Sequence, residues 1–226
     1  MLKYYQSEEG REKNMPSRCV SKQTLQRLPT YLSFLRTRSE DASKYVSATA
    51  IADALGMNQV VVRKDLASIS TSGRPKVGYV REDLIQELER FLGYDNADDA
   101  ILVGAGKLGR ALLSFDGFPQ YGLNILAAFD TDPAAANTRV GDKMVLPLEK
   151  LPDLCRRTKV RIGIITVPGE HAQQVCDLLI QSGILAIWNF ANVHLEVPPG
   201  ILVQNENMAV SLAILSNHLK ERFSTK

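Results

Sequence analysis

The sequence predicts two folded units of different class: a small, mainly helical unit, then a larger α/β unit on a parallel sheet, with one more helix at the C-terminus. Three observations carry this. Residues 21–95 place apolar side chains at helical spacing. Residues 96–204 switch to short apolar runs (ILVG, ILAAFD, RIGIITVP, ILAIWNFA) that alternate with helical stretches such as KLGRALLS and HAQQVCDLLIQSG. That alternation is the pattern of βαβ units whose sheet is covered on both faces. Finally, 226 residues, 45% of them hydrophobic, supply a core for each unit.

Along the chain, residues 1–20 mix charges without periodicity and are expected to form a mobile tail. From Ser21, Leu25, Leu28, Leu32 and Leu35 make one apolar stripe, with Pro29 tolerated early in the helix or shifting its start. Ser47 suits the N-cap of a second helix carrying Ile51, Ala52 and Leu55 and stopped by Gly56. Asn58 caps a third helix that runs to about Ile69. The segment TSGRPKVGYV reads as a short β-hairpin, and residues 84–92 as a closing helix. Residues 205–226 form a separate segment, in which a helix from Asn207 to Arg222 carries Met208, Val210, Leu212, Leu215 and Leu219 and needs another surface to bury against.

Charge and cysteine usage narrow the class. Residues 1–95 hold 15 Lys+Arg against 12 Asp+Glu, and the rest 12 against 13, so the positive excess lies N-terminal. Cys19, Cys155 and Cys176 are odd in number and widely spaced, which argues against a disulfide framework or a zinc site and for idle thiols in a reducing cytosol. No apolar run approaches the roughly 20 residues of a membrane span, and the polar start lacks a signal core. The expectation is a cytoplasmic protein with no membrane partner and no metal.

Within the helical unit, Ala52, Gly56 and Val62 stand at offsets 0, +4 and +10. This fits a helix-turn-helix: a small residue where helices touch, glycine at the turn, an apolar anchor on the second helix. A plain helical hairpin fits the same offsets. The surroundings favour the first, because residues 56–81 carry Arg63, Lys64, Arg74, Lys76 and Arg81 against Asp65 alone. Such a patch is the footprint of a phosphate-binding element, although a solvated face would look similar. Helix-turn-helix plus basic hairpin makes a winged helix.

In the second unit, ILVGAGKLGRAL sets a strand before Gly104, Gly106 and Gly109, spaced G-x-G-x-x-G, and a helix after them. Glycine is needed for the tight turn, for backbone approach to a pyrophosphate, and for helix–strand packing, with the pyrophosphate at the helix N-terminus. Asp130 ends the second strand, 21 residues after Gly109, where a carboxylate accepts from ribose hydroxyls and repels a 2′-phosphate. The unit is therefore expected to be a Rossmann-type dinucleotide-binding domain taking NAD(H). The expected cofactor set is Gly104, Ala105, Gly106, Lys107, Leu108, Gly109, Asp130, then Thr166, Val167 and Pro168, and Asn189, Phe190 and Ala191 beside the nicotinamide half. A dehydrogenase would need a positioned acid or base. His171 is the best candidate, and it reads equally as a solvent-facing helix start, so no catalytic residue is assigned.

RLPTYL (27–32), VRKDL (62–66), VGY (77–79), GAGKLG (104–109), AAFD (127–130), TVP (166–168) and NFA (189–191) together resemble Rex, the family of bacterial redox-sensing transcriptional repressors. The resemblance spans about residues 22–222. It implies a homodimer whose C-terminal helix is exchanged, binding palindromic operator DNA and released from it by NADH but not by NAD+. It places Arg63 and Lys64 as recognition-helix contacts and Lys76 with Tyr79 in the wing. The expected DNA-facing set is thus Asn58, Gln59, Arg63, Lys64, Arg74, Lys76 and Tyr79.

The chain also departs from the family pattern. Val61 replaces a usual Gln or Thr, Ser68-Ile69-Ser70 an aromatic-glycine run, and Lys76 a usual Gly, which point away from the family's usual operator. Asn207 and Ser33 stand where the family has an acid and an Arg that pair in one redox state. A neutral pair cannot make a charge-assisted contact worth about 1.5–3 kcal/mol. The redox response is left open as intact, weakened, inverted or replaced by response to another adenine nucleotide. A nucleotide-bound regulator indifferent to redox state, and a small NAD-dependent dehydrogenase, are the alternatives.

Overall fold

In the computed structural model, residues 20–37, 43–96 and 98–223 are described, and the expected tail at 1–20 therefore lies almost wholly outside them. The chain divides into two compact units, up to Leu92 and from Gly93.

The first unit begins with α1 (Lys22–Thr37), entered through Ser21, whose Oγ accepts from the Thr24 N–H at 3.1 Å. The helix runs through Pro29 without restarting. Its buried face is Thr24, Leu28, Tyr31, Leu32 and Leu35, and Leu25, expected in the stripe, is 43% exposed. The face is rotated from the leucine pattern because Thr24 and Tyr31 turn inward to a buried acid. Strand β1 (Tyr45–Val46) leads to α2 (Ala48–Leu55), with Ser47 capping Ala50 N–H and Gly56 ending it at φ +64. Asn58 then caps α3 (Gln59–Ile69). Ala52 and Val62 are fully buried, so all three offsets of the helix-turn-helix perform their expected roles.

The wing is smaller than a hairpin. Arg74 and Gly78 exchange backbone hydrogen bonds of 2.8 and 2.9 Å around a tight turn. The strand that follows, β2 (Tyr79–Val80), pairs antiparallel with β1 instead. Two-residue strands are too short to show alternation, which is why the sequence did not reveal β1. Helix α4 (Arg81–Leu92) closes the unit through Leu84 and Leu88.

The second unit contains β3 (Asp98–Val103), α5 (Lys107–Leu113), β4 (Leu123–Asp130), β5 (Arg139–Val140), β6 (Lys143–Pro147), α6 (Leu151–Thr158), β7 (Ile162–Ile165), α7 (Gly169–Gln181), β8 (Ala186–Asn189), β9 (Leu202–Asn205) and α8 (Met208–Phe223). The strands form one sheet, β5-β6-β4-β3-β7-β8-β9, parallel except for the β5–β6 edge. Both faces are covered. Ile101, Val103, Ala127 and Phe129 pack with α6 and α7, while Ala100, Leu102, Ile125 and Ala128 pack on the face of α5. A register shift between Ala100 and Ile101 lets Ile125 and Ala127, two residues apart, point to opposite faces. The sequence reading missed β5, β6 and β9, strands of only two, five and four residues, of which β5 and β9 lie at the sheet edges.

Cys155 and Cys176 are buried on the α6/α7 face. Burial raises both thiols, Cys176 to about 11, so they are inert at neutral pH. Every described side chain of α8 is exposed, including Leu212 at 63% and Leu215 at 58%. Helical as expected, α8 has no covering surface within its own unit.

Candidate functional site

The sheet order reverses at β3, whose neighbours β4 and β7 lie on either side. In such sheets a crevice opens beyond the carboxyl ends of the strands at the reversal. A cleft of about 750 Å³ lies there, lined by Gly104 and Gly106 after β3, Asp130 and Thr131 after β4, and Thr166, Val167 and Pro168 after β7. This volume is within the range of ligand pockets, about 300–1,000 Å³.

The glycine loop is built for close approach. Gly104 sits at φ +104, favoured only for glycine, and a Cβ on Gly109 would run into the Gly104 carbonyl. At Gly106 no atom lies within 4 Å of a would-be Cβ, so the open space is where a ligand backbone contact can form. Thr166 Oγ1 donates to the Gly104 carbonyl at 2.7 Å, tying the loop to β7. The Ala105 peptide is gripped at both ends: its N–H donates to Asp130 Oδ2 at 2.6 Å, and its carbonyl accepts from Arg110 Nε at 2.9 Å. Asp130 Oδ1 also accepts from the Asp132 N–H at 2.9 Å. Each Asp130 oxygen thus holds one backbone donor and keeps a lone pair for the cleft. The donor set and the open glycine fit a dinucleotide.

Not every expected cofactor residue lines the cleft. Ala105 and Gly109 are buried supports, and Lys107 and Leu108 lie exposed on the first turn of α5. Asn189 is fully buried with its side chain committed within the protein: Nδ2 donates to Val193 O and Asn205 Oδ1, and Oδ1 accepts from Ala191 N–H. Phe190 packs against Trp188 with ring centroids 4.8 Å apart and planes tilted by 52°, and Ala191 is buried. Sequence reasoning missed Leu148 and the α7 face of Gln174 and Asp177, which line the cleft, and the Arg110 clamp. Only the helical spacing of Gln174, Asp177 and Gln181 could have signalled that face. His171 lines the cleft from the exposed start of α7.

In the first unit, Arg63 and Lys64 project from the exposed face of α3, and Arg74 and Lys76 are exposed on the wing turn. Lys76 adopts φ +65, a left-handed conformation for a residue with a Cβ. Asn58 Oδ1 accepts from the Val60 and Val61 N–H groups, and Gln59 Nε2 donates to Asp53 at 3.0 Å. Tyr79 differs from expectation: it is 8% exposed, its ring packed beneath Gly73, and burial followed by the Glu87 charge raises its hydroxyl. It supports the wing from inside.

The acid counted against the basic patch is also inside. Asp65 is 4% exposed, accepting from Arg27 Nε at 2.7 Å and Nη2 at 2.9 Å, Tyr31 Oη at 2.8 Å and Thr24 Oγ1 at 3.0 Å. Burial works to raise its pKa, but these hydrogen bonds outweigh it and hold the carboxyl below its usual value.

A winged helix joined to a Rossmann domain defines a class: nucleotide-linked DNA-binding proteins. Residues 19–67 match the family model for a putative DNA-binding protein N-terminus, and residues 95–193 that for a CoA binding domain. The redox-sensing transcriptional repressor Rex of Porphyromonas gingivalis is 41% identical over 201 residues, 89% of this chain and 92% of that protein. The Rex of Treponema denticola is 37% identical, over 85% of this chain and 91% of its own. The chain belongs to the Rex family. Among solved structures, the Rex-family repressor RSP with β-NAD+ and operator DNA superposes with a TM-score of 0.84 at 31% identity, covering 92% of this chain and 95% of RSP. RSP with β-NADH gives 0.82 at 31% identity, covering 91% and 97%.

Proposed function

We propose that this chain is a redox-sensing transcriptional repressor, not an enzyme, that binds operator DNA as a homodimer and releases it when NADH occupies the cleft. The observation that carries this is one chain joining an open glycine-loop cleft edged by Asp130 to a capped recognition helix presenting Arg63 and Lys64. Gly104, Gly106, Asp130 and the Thr166–Pro168 loop receive the dinucleotide. The backbone supplies donors for the pyrophosphate, and Asp130 accepts from the ribose while disfavouring a 2′-phosphate. Arg63 and Lys64 contact bases and phosphates, and Arg74 and Lys76 hold phosphates from the wing. The exposed apolar residues of α8 pack against a second copy by exchange, which supplies the surface that helix lacks. Such a protein works in the cytoplasm on the nucleoid. Among the described residues no helix is long and apolar enough to cross a membrane.

A ligand shifts a DNA-binding equilibrium only by its differential affinity for the two states. Selection of genomic fragments by the purified protein, repeated with NAD+ and with NADH, tests this reading: fragments retained with NAD+ are released with NADH. The two modules separate by mutation. Gly106→Val fills the open space and abolishes NADH binding while sparing DNA. Arg63→Ala weakens the selected operator by about tenfold, with NADH affinity unchanged. Equal loss of both activities in either variant sinks the two-module reading.

One observation favours a second reading, a regulator with a weak redox response. Asn207 Oδ1 accepts from the Ala209 and Val210 N–H groups at 3.0 and 3.4 Å, acting as the N-cap of α8, and Ser33 is an exposed neutral residue of α1. Retention of the operator at saturating NADH selects that reading.

A further inference from the structure

The carboxylate between the two basic residues of α3 and the face behind it serves a purpose beyond packing. Asp65 follows Arg63 and Lys64 directly, yet points inward between Val62 and Leu66, both fully buried. Apolar contacts of that kind are non-directional and tolerate a roll of the helix about its axis. The polar contacts do not. Thr24, Arg27 and Tyr31 stand at i, i+3 and i+7 on one face of α1, and their four hydrogen bonds load each Asp65 oxygen twice. The two-point Arg27 contact is planar and fixes direction as well as distance. Ser21, which caps α1, in turn lies 3.0 Å from Thr24 Oγ1, so the register of α1 is tied to the same cluster.

The geometry points to Thr24, Arg27, Tyr31 and Asp65 as a positioning network that sets the roll of α3, and so the direction in which Arg63 and Lys64 leave it toward operator DNA. A base-reading arginine needs its donors placed to within a hydrogen bond, whereas phosphate attraction tolerates small rotations. Loosening the network therefore degrades discrimination between sequences more than it degrades overall DNA affinity. The inference rests on the regulator reading above, and it assigns sequence discrimination in part to residues that touch no DNA.

The test uses the full-length protein and an operator taken from its own selected fragments, with a random-sequence duplex of equal length as reference. Tyr31→Phe and Thr24→Val each remove one hydroxyl at nearly constant volume, and Thr24→Ser restores one. The expected result is a loss of about fivefold in the ratio of operator to random-duplex affinity for Tyr31→Phe and Thr24→Val, from about one hydrogen bond each. The slope of affinity against salt stays unchanged, because phosphate contacts are kept, and Thr24→Ser recovers the ratio. NADH affinity, measured on the same preparations, is unaltered. Equal losses on both duplexes, or an intact ratio in both variants, overturn the inference while leaving the regulator reading standing. A wild-type protein that prefers no fragment overturns both.

Discussion

Asp65 and Asp130 are two carboxylates of the same chain put to opposite uses, and the difference lies in how many donors reach them. Asp65 is closed in by four side-chain hydrogen bonds from a neighbouring helix. Asp130 sits at a strand end with one backbone donor on each oxygen and opens onto the cleft. A saturated carboxylate can only hold structure. One with free lone pairs can hold structure and still receive a ligand, and Asp130 does the first for the glycine loop while remaining available for the second.

The largest effect separating the two is on stability. Asp65→Asn leaves Arg27 facing a group without charge, and the first unit should lose about 2–4 kcal/mol, below the usual cost for a fully buried pair because the Arg27 side chain is 29% exposed. Chemical denaturation followed separately in each unit measures it; a loss shared by the second unit breaks the contrast. Asp130→Asn should instead cost about tenfold in NADH affinity, with little change in unfolding midpoint, as calorimetric titration will show. If its midpoint falls as far as that of Asp65→Asn, Asp130 is structural first and the distinction fails.

Titration sharpens the contrast. Burial, then the hydrogen bond to Asp65, pushes the Tyr31 hydroxyl from 10 up to about 12. A raised folded value means that the stabilisation is complete below pH 10 and is lost as pH climbs through about 12. Asp65 has the opposite sign: its folded value lies below 3.8, so its contribution is present above that pH and fades as pH falls through the folded value. Melting of Tyr31→Phe from pH 9 to 12 should show a flatter alkaline decline than wild type, with Tyr79 and the raised thiols Cys155 and Cys176 contributing to what persists. An unchanged decline would mean Tyr31 does not report the network.

The smallest effect concerns the wing. Lys76→Gly relieves the left-handed backbone at φ +65 and should stabilise the first unit by about 1 kcal/mol. The same change removes one cation from each protomer, so for the dimer the slope of log affinity against log salt should shrink by about two. Increased stability without the change in slope would place Lys76 off the DNA.

Much of both sites was legible. Ser47, Gly56 and Asn58 announced the helix-turn-helix because caps act through backbone groups two or three residues away. The glycine loop was legible for the same reason, its strand, turn and helix being contiguous. Other features were hidden. Asn189 stands at a strand end, where the sequence points it to the ligand, but its amide donates to Val193 and Asn205, the latter through a strand pairing that the sequence does not display. Leu25 fitted a leucine stripe, yet the face turned toward Asp65, which lies 38 residues beyond Arg27.

By itself the sequence determined the two classes of unit, the order of most elements, the turn at Gly56 and the dinucleotide loop, since each follows from periodicity and contacts a few residues apart. Tertiary structure alone decided that Asp65 is an anchor and not a surface acid, that Tyr79 supports the wing from within, and that α7 forms a wall of the cleft. Those outcomes depend on which distant segments meet, and a buried charge is settled by the donors that surround it in space, which no local spacing records.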